Sequence, residues 1–164
     1  MQTSALYLRT IIFGITDSLV STVGLLAGID VAGAPHATLA LTGIVYAFVE
    51  AFSMAVGNFL SEESAEEYTA KGAVNPRSAL AGGMAMFVVF VLAAFIPILP
   101  YLLFSTWVAL AGSIGFSIFA LFVVGLVSGR LAELPMLARG VRMVVLGGAA
   151  VIIGAIVGSI IPAI

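Results

Sequence analysis

Cysteine is absent from this sequence, which removes disulfides and thiolate metal sites from consideration and says little about compartment. Charge is scarce as well. Only 9% of the 164 residues are Asp, Glu, Lys or Arg, and soluble domains, at about 25%, need far more to cover themselves with polar surface. The net charge of −2 gives no ground for a nucleic-acid partner. What fills the chain instead is hydrocarbon: 62% of residues are hydrophobic and the mean hydropathy is +1.26. The apolar stretches run for about 20 residues or more without the alternation of a membrane barrel strand, so they read as spanning helices. The chain is expected to be an all-α integral membrane protein in a lipid bilayer.

Hydropathy predicts five spans, about 10–30, 38–61, 78–103, 106–129 and 140–162. Gly33-Ala34-Pro35-His36 is a tight turn, with His36 read as a loop residue. Asn75-Pro76 opens the third span with proline in its first turn. Pro97 and Pro100 close that span, and Pro135 lies in the fourth connection. All six basic residues, Arg9, Lys71, Arg77, Arg130, Arg139 and Arg142, then fall on one side. The positive-inside rule puts the N-terminus in the cytoplasm and the C-terminus outside. Ala32-Gly33-Ala34 resembles a signal-peptidase site, but Asp17 and the length of the preceding run argue against cleavage. Gly125-x-x-x-Gly129 and Gly154-x-x-x-Gly158 permit close helix approach, read first as packing within one bundle.

Two acidic residues interrupt the first two spans. Asp17 lies between Ile11 and Val20, and Glu50 between Val45 and Met54. A carboxylate at such depth costs roughly 2.5–3.5 kcal/mol on insertion scales, so it usually faces a partner, a cavity or a pathway. Counting the helix rise inward from Thr10 and Ser61 puts Asp17 and Met54 both roughly 10 Å deep, with Glu50 about one turn further. Spacing i, i+4 sets Glu50 and Met54 on one face of the second helix. A carboxylate with a thioether suits a borderline-soft divalent ion better than Mg²⁺ or Ca²⁺, which prefer oxygen alone. The plainer readings are an internally hydrogen-bonded Asp17, a packed protonated Glu50 and a space-filling Met54.

The second span runs into an acidic segment, residues 61–75, containing Glu62, Glu63, Glu66 and Glu67. At i, i+3 and i, i+4 these carboxylates repel one another unless a cation or solvent intervenes. They read either as a solvated helix end or as a vestibule that concentrates metal ahead of the membrane site.

Phe13-Gly14-Ile15-Thr16-Asp17-Ser18-Leu19-Val20-Ser21-Thr22 resembles the first-helix signature of the vacuolar iron transporter family, which includes the nodulin-21-like proteins. The stretch from Ala51 through Ser53-Met54 and Gly57 to Ser61 resembles its second-helix block. Asn75-Pro76, the proline-rich stretch from Ile96 to Tyr101 and Arg139-Gly140-Val141-Arg142 are similar to later family segments, so the likeness covers nearly the whole chain. It implies a five-helix homodimer that exports Fe²⁺, and often Mn²⁺, from the cytosol against an inward flow of protons. The pathway would lie at the two-fold interface, with Asp17 and Met54 as its aspartate and methionine. The chain departs from the pattern at Tyr46, where some members carry glutamate, and at Glu50, usually a small residue. Its insert between the second and third helices is also short.

The resulting expectation is a compact proton-coupled metal exporter, metal held by Asp17, Glu50 and Met54 and recruited by Glu62, Glu63, Glu66 and Glu67. Neither enzymatic activity nor a resident cofactor is expected, the metal being cargo, and the size suits a bacterial inner membrane. Two other readings fit the same residues. One is a small exporter of organic cations with aromatic Tyr46, Phe48 and Phe52 around Glu50. The other is a membrane scaffold that transports nothing.

Overall fold

A computed structural model of the chain describes residues 2–70, 76–104 and 107–161. Five helices account for nearly all of them: α1 (Gln2–Val31), α2 (His36–Ala70), α3 (Pro76–Leu103), α4 (Trp107–Leu131) and α5 (Met136–Ile160). Each is long and apolar enough to cross a bilayer. Lys71 and Asn75, with the span limits expected at 106 and 162, lie outside the described residues.

Several helices outrun their hydropathy. α1 begins at Gln2, α5 begins at Met136, and α2 continues to Ala70 instead of stopping near Ser61. Hydropathy marks where a helix leaves hydrocarbon, whereas the helix itself ends where a residue cannot continue it. Neither 2–9 nor 62–70 contains Gly or Pro, and Glu and Ala are strong helix formers. At 1.5 Å per residue α2 is about 52 Å long, well beyond the roughly 30 Å of a hydrocarbon core. The glutamates therefore ride on a continuous rod.

Two connections close by the same device. At the end of α1, Gly33 takes φ +87, its N–H reaches Asp30 O at 2.9 Å, and Ala34 N–H reaches Ile29 O at 3.3 Å. This is a Schellman ending, and Pro35 then forbids further helix. After α4 the left-handed position falls to Glu133 at φ 54, with Leu134 N–H on Gly129 O at 2.9 Å and Pro135 following. A residue with a Cβ pays about 1–2 kcal/mol for that conformation.

Pro97 and Pro100 lie inside α3 instead of closing it. Both are fully buried. Lacking N–H groups, they free the carbonyls of Ala93 and Ile96, which sit four residues back on the same side of the helix.

Among the described residues α1 alone touches all four other helices; α2 rests mainly on α3, and α4 on α5. Leu19, Ala93 and Leu121 form one core cluster, and Leu26, Ala94, Ile98 and Tyr101 belong to a second toward the end where α1 finishes. The other end carries Arg9, Arg77, Arg130, Arg139 and Arg142 and is called the basic end below. Glycine makes the tightest seam. Gly24 and Gly28 of α1 meet Gly154 and Gly158 of α5 backbone to backbone, and Gly125 and Gly129 of α4 meet Gly140 and Met136 of α5. Both small-residue motifs thus pack within the bundle, where contact between backbones replaces the hydrophobic drive that lipid cannot supply.

A Cβ at Gly158 would overlap the Gly28 carbonyl, whereas nothing lies within 4 Å of one at Gly148. Gly158→Ala should cost about 1–3 kcal/mol, and Gly148→Ala should stabilise by about 0.5–1 kcal/mol. Thermal unfolding of both variants in one detergent checks the contrast.

Candidate functional site

Three contacts fix the register of the antiparallel α1–α2 hairpin. Thr10 Oγ1 donates to Asn58 Oδ1 at 3.5 Å. Ser21 lies within side-chain hydrogen-bonding reach of Tyr46, and Asp17 and Glu50 lie within range of each other's charge. In each pair the residue numbers add to 67 or 68. Asp17 and Glu50 therefore stand level, both half-buried, with Ser21 and Tyr46 one turn further from the basic end.

The same register places Met54 opposite Phe13, one turn nearer the basic end than Asp17. The depth count from the sequence had paired Asp17 with Met54 and set Glu50 deeper. It took Thr10 and Ser61 as level, whereas Thr10 actually meets Asn58, and three residues are nearly a helical turn.

Met54 opens instead into a cleft of about 480 Å³ at the basic end, lined also by Arg9, Thr10, Phe13, Asn58, Glu62 and Met86. Met86, on α3, supplies a second thioether that sequence reasoning missed. It reaches α1 because Gly14 has no side chain: a Cβ there would stand 2.8 Å from the Met86 sulfur. The pairing of a helix-interior glycine with a methionine on a distant helix leaves no local pattern to read.

The four glutamates are not equivalent. Glu62 is only 9% exposed, and Asn58 Nδ2 donates to its Oε1 at 3.0 Å. Its carboxylate lies over Gly82 of α3, in space that any Cβ at that position would occupy. Glu63 and Glu66 are half-buried, and Glu67 is exposed. Only part of the run faces solvent.

A second polar contact stands at the opposite end. Tyr101, buried beside the two prolines, donates its hydroxyl to Asp30 Oδ2 at 3.0 Å. His36, first residue of α2 and not a loop residue, has its ring centroid 6.0 Å from that of Tyr101. Sequence reasoning passed over Asp30 because it lies in the last turn of its helix, where a carboxylate reaches water without special provision.

Among the described residues no three His, Cys, Asp or Glu side chains converge. One copy of the chain thus brings two carboxylates to one level, with a cleft carrying two thioethers one turn away. Two like charges close together in a low-dielectric region repel strongly, and a bound cation or a proton removes that repulsion.

This is a multi-pass integral membrane protein with two half-buried carboxylates at one level of its first hairpin and a cleft lined by two thioethers beside them. The sequence model of the VIT family, the vacuolar iron transporters, matches residues 8–81 and 69–159, and the chain belongs to that family. The two matched segments overlap across the α2–α3 connection. Members are transporters and not enzymes, and the membership points to membrane transport of metal ions. No curated protein matches the chain.

The seat of Glu62 is testable without any transport assay. Gly82→Ala should cost about 1–3 kcal/mol by displacing the carboxylate from Asn58, and in a Glu62→Ala background the same change should be neutral or stabilise by up to about 1 kcal/mol. Unfolding of the single and double variants measures the coupling; equal costs in both backgrounds would place the strain elsewhere.

Proposed function

We propose that the chain exports a divalent transition metal, Fe²⁺ and with it Mn²⁺, from the cytosol in exchange for protons. The observation that carries this reading is that Asp17 and Glu50 share one level of the hairpin, within range of each other's charge and next to the cleft with Met54 and Met86. The basic end is the cytoplasmic end by the positive-inside rule, so the cleft opens toward the cytosol, the N-terminus lies inside and the C-terminus outside. A bacterial inner membrane suits this compact bundle.

Metal enters past Glu63, Glu66 and Glu67, is caught between thioethers and Glu62, and passes to Asp17 and Glu50. Protons arriving at the same two carboxylates expel it, since a carboxylate cannot hold both. Two copies related by a two-fold axis along the α1–α2 hairpin would double the carboxylates and thioethers to a full coordination shell. The slight contact between α1 and α2, with Ser53 and Gly57 exposed along the wall of the cleft, supports that arrangement.

The organic-cation reading loses ground. It needs aromatic rings around Glu50, but Phe48 and Phe52 are exposed at 47% and 65%, and the Phe48 ring has its aromatic neighbour in Phe87 of α3. Only Tyr46 faces the carboxylates.

Metal flux in proteoliposomes tests the proposal. Asp17→Asn should abolish transport and leave folding intact, because removing a membrane charge removes an insertion penalty. Met54→Leu, close in volume, should weaken apparent Fe²⁺ affinity by about three- to tenfold, or roughly 0.7–1.4 kcal/mol, and Mn²⁺ affinity less. Parent-like flux in Asp17→Asn would defeat the pathway assignment.

Changing Glu63, Glu66 and Glu67 together to Gln should raise the half-saturating metal concentration and leave maximal flux alone. The difference should fade in high salt, because exposed charges are screened beyond about 8–10 Å at physiological ionic strength. Unchanged saturation at low salt would make these residues a solvated helix end.

A further inference from the structure

Four buried hydroxyls have no hydrogen-bond partner: those of Thr16, Thr22, Ser113 and Ser117. Thr22, Ser113 and Ser117 are completely shielded from the surface. A hydroxyl in hydrocarbon normally finds an acceptor, so three orphans in one small bundle call for an account.

Helix register places them in order. Ser18 Oγ donates to Phe90 O at 2.7 Å and Tyr101 to Asp30 at 3.0 Å, so the parallel helices α1 and α3 are offset by 71 or 72 residues throughout. Gly112 of the antiparallel α4 lies against Pro100, and Leu121 clusters with Leu19 and Ala93. By that register Ser117 stands level with Thr22, and Ser113 one turn nearer Tyr101. The carbonyls freed by Pro97 and Pro100, those of Ala93 and Ile96, fall between these rungs. Ser18, Thr22 with Ser117, Ser113, and Tyr101 with Asp30 thus form a ladder about 16 Å long through the α1–α3–α4 interior. The rungs are roughly 3–7 Å apart along the axis, gaps that zero to two waters close.

We propose that this ladder is a proton route separate from the metal route, with Asp30 as its outer port and Ser18 as its inner end. The proposal rests on the proton-coupled reading above and supplies what that reading leaves open, the path of the coupling ion. A proton from outer water binds the Asp30 carboxylate, where Tyr101 and His36 are the titratable neighbours. It is relayed along hydroxyls, freed carbonyls and intervening waters to the level of Asp17, which faces Glu50 and Tyr46. No covalent bond other than O–H is made or broken, and each relay leaves its hydroxyl as it was. A ladder of buried hydroxyls passes protons by relay and offers no cluster of carboxylates or thioethers to hold a metal ion along its length. The plain alternative is that each Ser or Thr turns onto the carbonyl of its own helix one turn back, giving a dry interior.

X-ray hydroxyl-radical footprinting of the reconstituted protein reads internal water directly. Leu121, one turn from Ser117, and Tyr101 should be modified despite their burial, and the modification at Leu121 should be lost in a Thr22→Val, Ser113→Ala, Ser117→Ala variant. An unmodified Leu121 in the parent means a dry interior and overturns the route, whatever the protein transports. In proteoliposomes, an outward-acid pH gradient should accelerate metal export by the parent. The triple variant should lose that acceleration and keep metal–metal exchange at equal pH. Asp30→Asn, at a half-buried helix end, should lose the same acceleration and guards against misfolding of the triple variant. Acceleration retained in either folded variant overturns the route. A parent with wet Leu121 but flux blind to the gradient overturns the coupled-exporter reading, and with it the assignment of the ladder to coupling; that outcome is recognised by failure of the parent itself.

Discussion

A hydrocarbon environment offers polar groups nothing to bond to, and that single constraint organises this bundle. It explains why Asp17 and Glu50 stand at one level, why Glu62 turns inward onto Asn58 and Gly82, and why Tyr101 reaches Asp30. It also gives α1 its special place. This helix carries Thr10, Asp17, Ser18, Ser21, Thr22 and Asp30. Among the described residues it alone contacts all four other helices, and its polar groups are met by α2 and α3. Packed in this way, α1 turns a carboxylate toward α2 and a buried hydroxyl onto α3.

The chemistry of the two ends follows from the same economy. At the basic end the cleft gathers oxygen and sulfur donors of differing softness, among them the Glu62 carboxylate and the Met54 and Met86 thioethers. Such a mixed set discriminates among divalent ions by donor type more than by charge. At the far end the donors are oxygen and imidazole, from Asp30, Tyr101 and His36.

Much of the fold was legible because membrane helices announce themselves by length and composition. All five spans, the Gly33 turn, the proline start of α3 and the within-bundle role of the glycine motifs could be read from the chain. Of the site, Asp17 stood out because a carboxylate among Ile, Val and Phe has no cheap explanation. What sequence could not supply was register. Pairing Thr10 with Ser61 instead of Asn58 displaced Met54 by a turn, and no local pattern distinguishes the two. Nor could it tell Glu62 from Glu63: the difference is a missing side chain on another helix, Gly82. Met86 and Tyr101 were hidden for the same reason, each acquiring its partner only when α3 packs on α1.

The overhanging end of α2 has one more consequence. A helix accumulates partial negative charge at its C-terminus, yet this one places four carboxylates near that end and no basic residue in its final turn. The macrodipole and the side chains therefore oppose each other, by about 0.3–1 kcal/mol for each charge in the last turn. Any cation that settles there relieves both at once. The far end of the rod is thus a helix held in form against its own electrostatics, by its lack of glycine and proline and by the inward seat of Glu62.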